Sequence, residues 1–255
     1  MAFSAEWLDL REPADRAARD AGLLRRAAAA AGPAPVIMDL GCGSGATVRA
    51  MAPHLPPDVR WRLVDTDAAL LELAAAQAGP EAEIWRVDIA DLDALPLDGA
   101  TLVTASALLD LVSDPWLRAL AARLRVPFYA ALSYDGIMTW DPGDPRDASV
   151  TAAFNRHQRG DKGLGSALGP DAVAGASAAL AAAGFEVVRA ESPWRLGPAD
   201  AGLQRTLVEG IGAAAAEAGE ATAPGWTATR RDAATTTACR IGHGDILATP
   251  AGIAG

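Results

Sequence analysis

Residues 36–45 read Val-Ile-Met-Asp-Leu-Gly-Cys-Gly-Ser-Gly. An apolar run of strand length ends on an acid, and glycines then recur at positions 41, 43 and 45 before a helical segment opens near Ala46. A short apolar run bounded by turn residues reads as a buried strand. Glycine turns sharply through positive φ, and its missing side chain lets a ligand lie against the main chain. The helix that follows presents free N–H groups and the positive end of its dipole. This is a cradle for a nucleotide-like cofactor. The glycines alone leave its identity open, because Gly41, Gly43 and Ala46 also satisfy the relaxed dinucleotide pattern G-x-G-x-x-G/A.

Two further segments end the same way. Arg60-Trp61-Arg62-Leu63-Val64 alternates like a strand and runs into Asp65-Thr66-Asp67. A carboxylate at Asp65, where a second parallel strand ends, can accept from both hydroxyls of a ribose. Asp67 fits a helix cap better than a ligand role. Glu83-Ile84-Trp85-Arg86-Val87 then reads as a third strand ending at Asp88-Ile89.

The full pattern D-x-G-x-G-x-G, followed by acidic ends on the next two strands, resembles the class I S-adenosylmethionine-dependent methyltransferases. The likeness has good motif support from about Pro35 to Leu132 and weaker support beyond. It implies an α/β fold: a doubly wound Rossmann-like sheet, mostly parallel, with an antiparallel last strand supplied by about Cys239 to Ala248. It also implies S-adenosyl-L-methionine as cofactor and S-adenosyl-L-homocysteine as product. Asp39 would lie near the methionine amino group, Asp65 on the ribose, and Asp88 on the adenine amino group with Ile89 against the ring. Gly41, Cys42, Gly43, Gly45, Thr66 and Ser106 complete the expected cofactor set. Arg19, with Arg11 as the alternative, would reach the methionine carboxylate from a leading helix. The chain departs from many relatives in three places. Asp110 and Leu111 stand where histidines occur, no N-P-P-Y-like signature is present, and no Gly-Gly turn follows the fifth strand.

Composition sets the class. At 255 residues and 51% hydrophobic, the chain can bury one substantial core. No apolar run approaches the ~20 residues of a membrane span, and the charged start lacks a secretory signal's apolar centre. A cytoplasmic protein is expected. Two cysteines, Cys42 and Cys239, support neither a disulfide framework nor a zinc cluster, and no metal is expected. A net charge of −10 argues against a nucleic-acid substrate, which draws on a positive footprint. The expected partner is a small molecule, with no membrane, and the protein a monomer or homodimer.

The predicted organisation is an N-terminal helical cap over residues 1–34, its helix running from about Pro13 to Ala30, and a methyltransferase domain over 35–255. Asp114-Pro115 predicts another helix, with Asp114 as its cap. Two insertions, at about 133–168 and 191–237, should select the substrate. The first is polar with few aliphatic residues and begins at the carboxyl end of a strand, the edge where open α/β sheets hold ligands. The second reads as a lid, an added wall or a dimer surface. A hydroxyl or amine acceptor would need a base, for which histidine is suited near neutral pH. His157 is the preferred base, with Tyr134 and Asp110 as acceptor-positioning groups; His243, in a strand, reads as structural. O-methylation is slightly preferred over N- or C-methylation. The alternatives are a nicotinamide-dependent oxidoreductase and a non-catalytic methyltransferase-like binding module.

Overall fold

A computed structural model describes residues 4–252. Its sheet begins with β1 (Val36–Leu40), every residue of which is buried. This suits a central parallel strand covered on both faces. Around it lie β2 (Arg60–Asp65), β3 (Glu83–Arg86), β4 (Leu102–Ser106), β5 (Phe128–Asp141), β6 (Phe185–Glu191), the short β7 (Trp194–Leu196) and β8 (Ala238–Pro250). The order is β3-β2-β1-β4-β5-β8-β6, with β7 pairing β8 off this path. Strands β1 to β5 pair in parallel, whereas β8 runs antiparallel to β5, β6 and β7. The antiparallel strand beside the fifth is therefore present where the sequence places it.

Helices α1 (Ala5–Ala18), α2 (Ala21–Ala30), α3 (Ala46–Met51), α4 (Ala68–Ala78), α5 (Asp114–Arg123), α6 (Asp147–Gln158), α7 (Ala172–Ala182), α8 (Ala201–Glu217) and α9 (Ala223–Asp232) connect the strands. Asp67 caps α4, accepting from the amides of Ala69 and Leu70. The cap of α5 is Ser113 rather than Asp114, which with Pro115 occupies the first turn. The single leading helix expected from Pro13 to Ala30 is two helices. Arg19 is extended (φ −51°, ψ 135°), and Asp20 caps α2 by accepting from Leu23. The amide of Asp20 in turn donates to Asp245 in β8 at 3.0 Å. A local cap and a partner 225 residues away thus meet at the break, and Pro13 lies inside α1.

Apolar clusters fill both faces of the sheet, one around Leu40, Leu117 and Phe128 and the other around Ile37, Trp61 and Tyr129. A third cluster lies apart from them. Residues 133–168 are not a polar excursion: β5 continues to Asp141, and its Tyr134, Met138 and Trp140 pack with α6, β7, α8 and α9. The two insertions therefore bury each other. Two register shifts bend β5. At the first, Leu132 takes φ 58°, and its amide donates to Asp245 Oδ1 at 2.9 Å.

The third cluster contains an ion pair. Arg230, 4% exposed, donates to both oxygens of Asp147. Asp147 also accepts from Trp226 Nε1 at 2.7 Å, and the guanidinium stacks 5.0 Å above Trp140. Removing one member of a buried pair strands the other charge. Asp147→Ala is expected to lower unfolding free energy by about 3 kcal/mol in urea titration, and a loss below about 1 kcal/mol would contradict this placement.

Candidate active site

The five residues after β1 reverse the chain, and the glycines take φ of 61°, 52° and 87° at positions 41, 43 and 45. Two of them also meet close neighbours. A Cβ at Gly45 would lie 3.0 Å from Ala74 Cα in α4, and one at Gly43 would lie 3.3 Å from Leu8 Cδ1 in α1. Any side chain at position 45 would thus force α3 and α4 apart. Asp65, at the end of β2, braces the turn: its Oδ2 accepts from the amide of Gly43 at 3.0 Å, and its Oδ1 from Thr66 and Asp67.

This turn forms one wall of a cavity of about 450 Å³ at the carboxyl edge of the parallel strands. Gly41, Cys42, Gly43, Asp65, Thr66, Asp88, Ile89, Ser106 and Arg19 all line it. Asp88 accepts from the amide of Ala90, and the carbonyl of Ile89 accepts from Trp116 Nε1 at 2.7 Å, so both are fixed by their own loop. The Cys42 thiol is pushed well up by burial and then by Asp39 and Asp65, which keeps it protonated. Gly45 does not line the cavity; its close approach to Ala74 sets how α3 packs on α4.

Arg19 is 7% exposed and leaves α1 where the helix breaks. Its Nη2 donates to Ser106 Oγ at 2.9 Å, and Ser106 Oγ lies 3.0 Å from Thr47 Oγ1. Its Nη1 is buried without a partner. A buried cation with a free donor, on a cavity wall, is built to receive an anion. Arg11, the alternative, is bound by both oxygens of Asp15 and stacks over Trp194 at 5.1 Å.

Asp245 was not singled out in the sequence, although a carboxylate amid the apolar run Ile241 to Ala248 is the signal that could have found it. Fully buried, it accepts from the Leu132 amide, the Asp20 amide and, at 3.3 Å, the Tyr129 hydroxyl. It therefore anchors the junction that carries Arg19. Asp39 does not line the cavity. It sits at the end of β1, 1% exposed, with Oδ1 accepting from Thr104 Oγ1 at 2.7 Å and Oδ2 unpartnered.

The three residues expected to handle the acceptor are not brought together on the wall. His157, near the end of α6, bonds Glu217 through Nε2 at 3.0 Å, and its Nδ1 lies 3.4 Å from Lys162 Nζ. The Tyr134 hydroxyl donates to Asn155 Oδ1 at 2.8 Å, with its ring against Phe154 and His243. Asp110 is held up in pKa chiefly by burial, and its Oδ1 has no partner. Its neighbours Leu108 and Leu111 face the cavity, as do Lys162, Gly163 and Leu164 from the insertion at 133–168 and Leu8, which sequence reasoning did not assign to the site. His243 is buried and its pKa is pushed down to about 3, mainly by desolvation and then by Arg11. Among the described residues, no group of three or more His, Cys, Asp and Glu is arranged to hold a metal ion.

Burial raises the Asp39 pKa from 3.8 to about 7, against the opposing effects of Thr104, Thr47 and Arg19. The folded protein thus binds the more protons between about pH 4 and 7, and stability from this group is lost as pH rises through that window. Asp39→Asn removes the titration. Its unfolding free energy relative to the parent, read from urea titration, is expected to climb from pH 5 to 8 by an amount on the order of 1–3 kcal/mol. A difference that stays flat with pH would contradict the burial of this carboxylate.

Residues 37–126 match a family described as "Methyltransferase domain". No curated protein matches the sequence. Among solved structures, the cyclopropane synthase MmaA2 from Mycobacterium tuberculosis is 13% identical, covering 97% of this chain and 95% of its own with a TM-score of 0.55. A geranyl diphosphate methyltransferase in complex with SAM is 15% identical, covering 89% of this chain and 83% of its own with a TM-score of 0.50. A geranyl diphosphate C-methyltransferase from Streptomyces coelicolor A3(2), in complex with Mg2+, geranyl diphosphate and S-adenosyl-L-homocysteine, is 15% identical with a TM-score of 0.51, covering 89% and 75%. At these identities the likeness to solved structures is one of fold. The matched segment holds the glycine turn and all three strand-end carboxylates, on a sheet of the expected order, so residues 37–126 are consistent with a class I methyltransferase domain.

Proposed function

We propose that the cavity binds S-adenosyl-L-methionine and that the protein transfers its methyl group to a small-molecule acceptor, with oxygen as the favoured nucleophile. The observation that carries this reading is the unpartnered Nη1 of Arg19, buried on the wall of the cavity that the glycine turn encloses. It fits the methionine carboxylate. Asp65 keeps lone pairs for the ribose hydroxyls while bracing Gly43, and Asp88 with Ile89 would take the adenine. When bound, S-adenosylmethionine supplies a methyl carbon activated by positive sulfur; the acceptor's lone pair forms the new bond and the C–S pair returns to sulfur, giving S-adenosyl-L-homocysteine.

The chain's own residues then have two tasks, alignment and exclusion of water. Leu8, Leu108, Leu111 and Leu164 supply an apolar surround. No histidine lines the cavity among the described residues. In this reading the acceptor oxygen enters already deprotonated, and His157 acts from outside the cavity through its contact with Lys162 rather than as a base. O-methylation of a carboxylate, enolate or phenolate satisfies that condition. The monomer or homodimer expected from the sequence is retained in this proposal.

Titration calorimetry tests the reading. S-adenosylmethionine and S-adenosylhomocysteine should bind and NAD should not. Arg19→Ala should weaken S-adenosylhomocysteine by roughly 10- to 100-fold, the worth of a hydrogen bond between charged partners. It should leave 5′-methylthioadenosine, which lacks the amino acid, unchanged. Equal losses for the two ligands, or none, would contradict Arg19 as the carboxylate partner.

A further inference from the structure

The cavity's two ends differ in charge. Along the sheet, β3 and β2 bring Asp88, Asp65 and Asp67 to one end, and the loop after β4 brings Leu108 and Leu111 to the other. That second end is closed by the glycine-rich turn Gly160-Asp161-Lys162-Gly163-Leu164-Gly165, docked on the loop before α5 by the Leu168 amide on the Val112 carbonyl. Gly163 and Gly165 take φ of 106° and 85°. Asp161 Oδ1 accepts from both of their amides, at 2.7 and 3.1 Å. The carboxylate next to Lys162 in sequence is therefore occupied in shaping the turn.

Lys162 is the chain's only lysine, in a protein of net charge −10. It lines the cavity, and among the described residues no carboxylate lies within 4.0 Å of its Nζ. Its one polar neighbour is His157 Nδ1 at 3.4 Å. The other cation at this end, Arg11, is matched by Asp15. Asp110 feels both cations, but burial works against its ionisation. An ammonium without a carboxylate partner at the apolar end of the cavity selects for charge.

We propose that the methyl acceptor is an anionic small molecule with an apolar body, whose carboxylate or phosphate is held by Lys162 while the leucines at positions 8, 108, 111 and 164 cover the rest. This rests on the reading that the glycine-turn end holds the cofactor. The anion would replace water on the ammonium, and the turn's glycines let Lys162 follow the ligand.

The test uses protein saturated with S-adenosylhomocysteine and four probes of matched length: hexanoate, hexyl phosphate, hexanol and hexylamine. Calorimetry or ligand-observed NMR should show at least one anion binding about tenfold or more tighter than hexanol, with hexylamine no better than hexanol. The tighter of the two anions identifies the group as carboxylate or phosphate. Lys162→Ala should abolish the preference and Lys162→Arg should keep it; Lys162→Gln serves the same comparison if the alanine variant fails to fold. A preference that survives Lys162→Ala, equal binding of anion and alcohol, or binding by none of the four would overturn the proposal. S-adenosylhomocysteine binding without anion preference sinks this inference alone, whereas its failure to bind the parent protein removes the cofactor reading beneath it.

Discussion

Everything at the carboxyl edge of the sheet depends on how the chain leaves β1. Within five residues it must reverse, keep Cys42 hydrogen-bonded to Val64, and start α3 against α4 with no room for a side chain at position 45. Three glycines at positive φ satisfy this. The turn gains a brace that the chain supplies from the neighbouring strand, the Asp65 carboxylate on the Gly43 amide. Because that carboxylate also lines the cavity, the brace and part of the cavity wall are the same group. A ligand on Asp65 would then meet a wall already ordered, which lowers the cost of binding.

The second constraint is Arg19. A guanidinium this buried with a free N–H is unfavourable until something accepts from it. It is held there by a junction whose anchor, Asp245, reaches across from the last long strand to α2, Tyr129 and the strained Leu132. The late strand and the leading helices thus meet at one carboxylate. This ties the region over the cavity to the centre of the sheet.

Much of this was legible in the sequence because it is local. Val36 to Gly45, Asp65 and Asp88 sit at strand ends that periodicity and glycine placement reveal, and the antiparallel last strand follows from the family resemblance those motifs carry. What was not legible depends on distant partners. The break at Arg19 is held by Asp245, and its one local sign is the cap residue Asp20. The extension of β5 was hidden by Asp135-Gly136 in the middle of a strand whose Tyr134, Met138 and Trp140 find their partners in α8 and α9, some seventy residues on. The pair Asp147–Arg230 spans a similar gap. His157 drew attention as a histidine in a polar segment, yet α6 directs it to Glu217; the adjoining Lys162 is the residue on the cavity wall.

The most direct measurement is a crystal structure with S-adenosyl-L-homocysteine bound. The expected map places the ribose on Asp65, the adenine between Asp88 and Ile89, and the homocysteine carboxylate on the free nitrogen of Arg19. A nucleoside found elsewhere, or a carboxylate facing away from Arg19 with its Nη1 still unpartnered, would contradict the central claim.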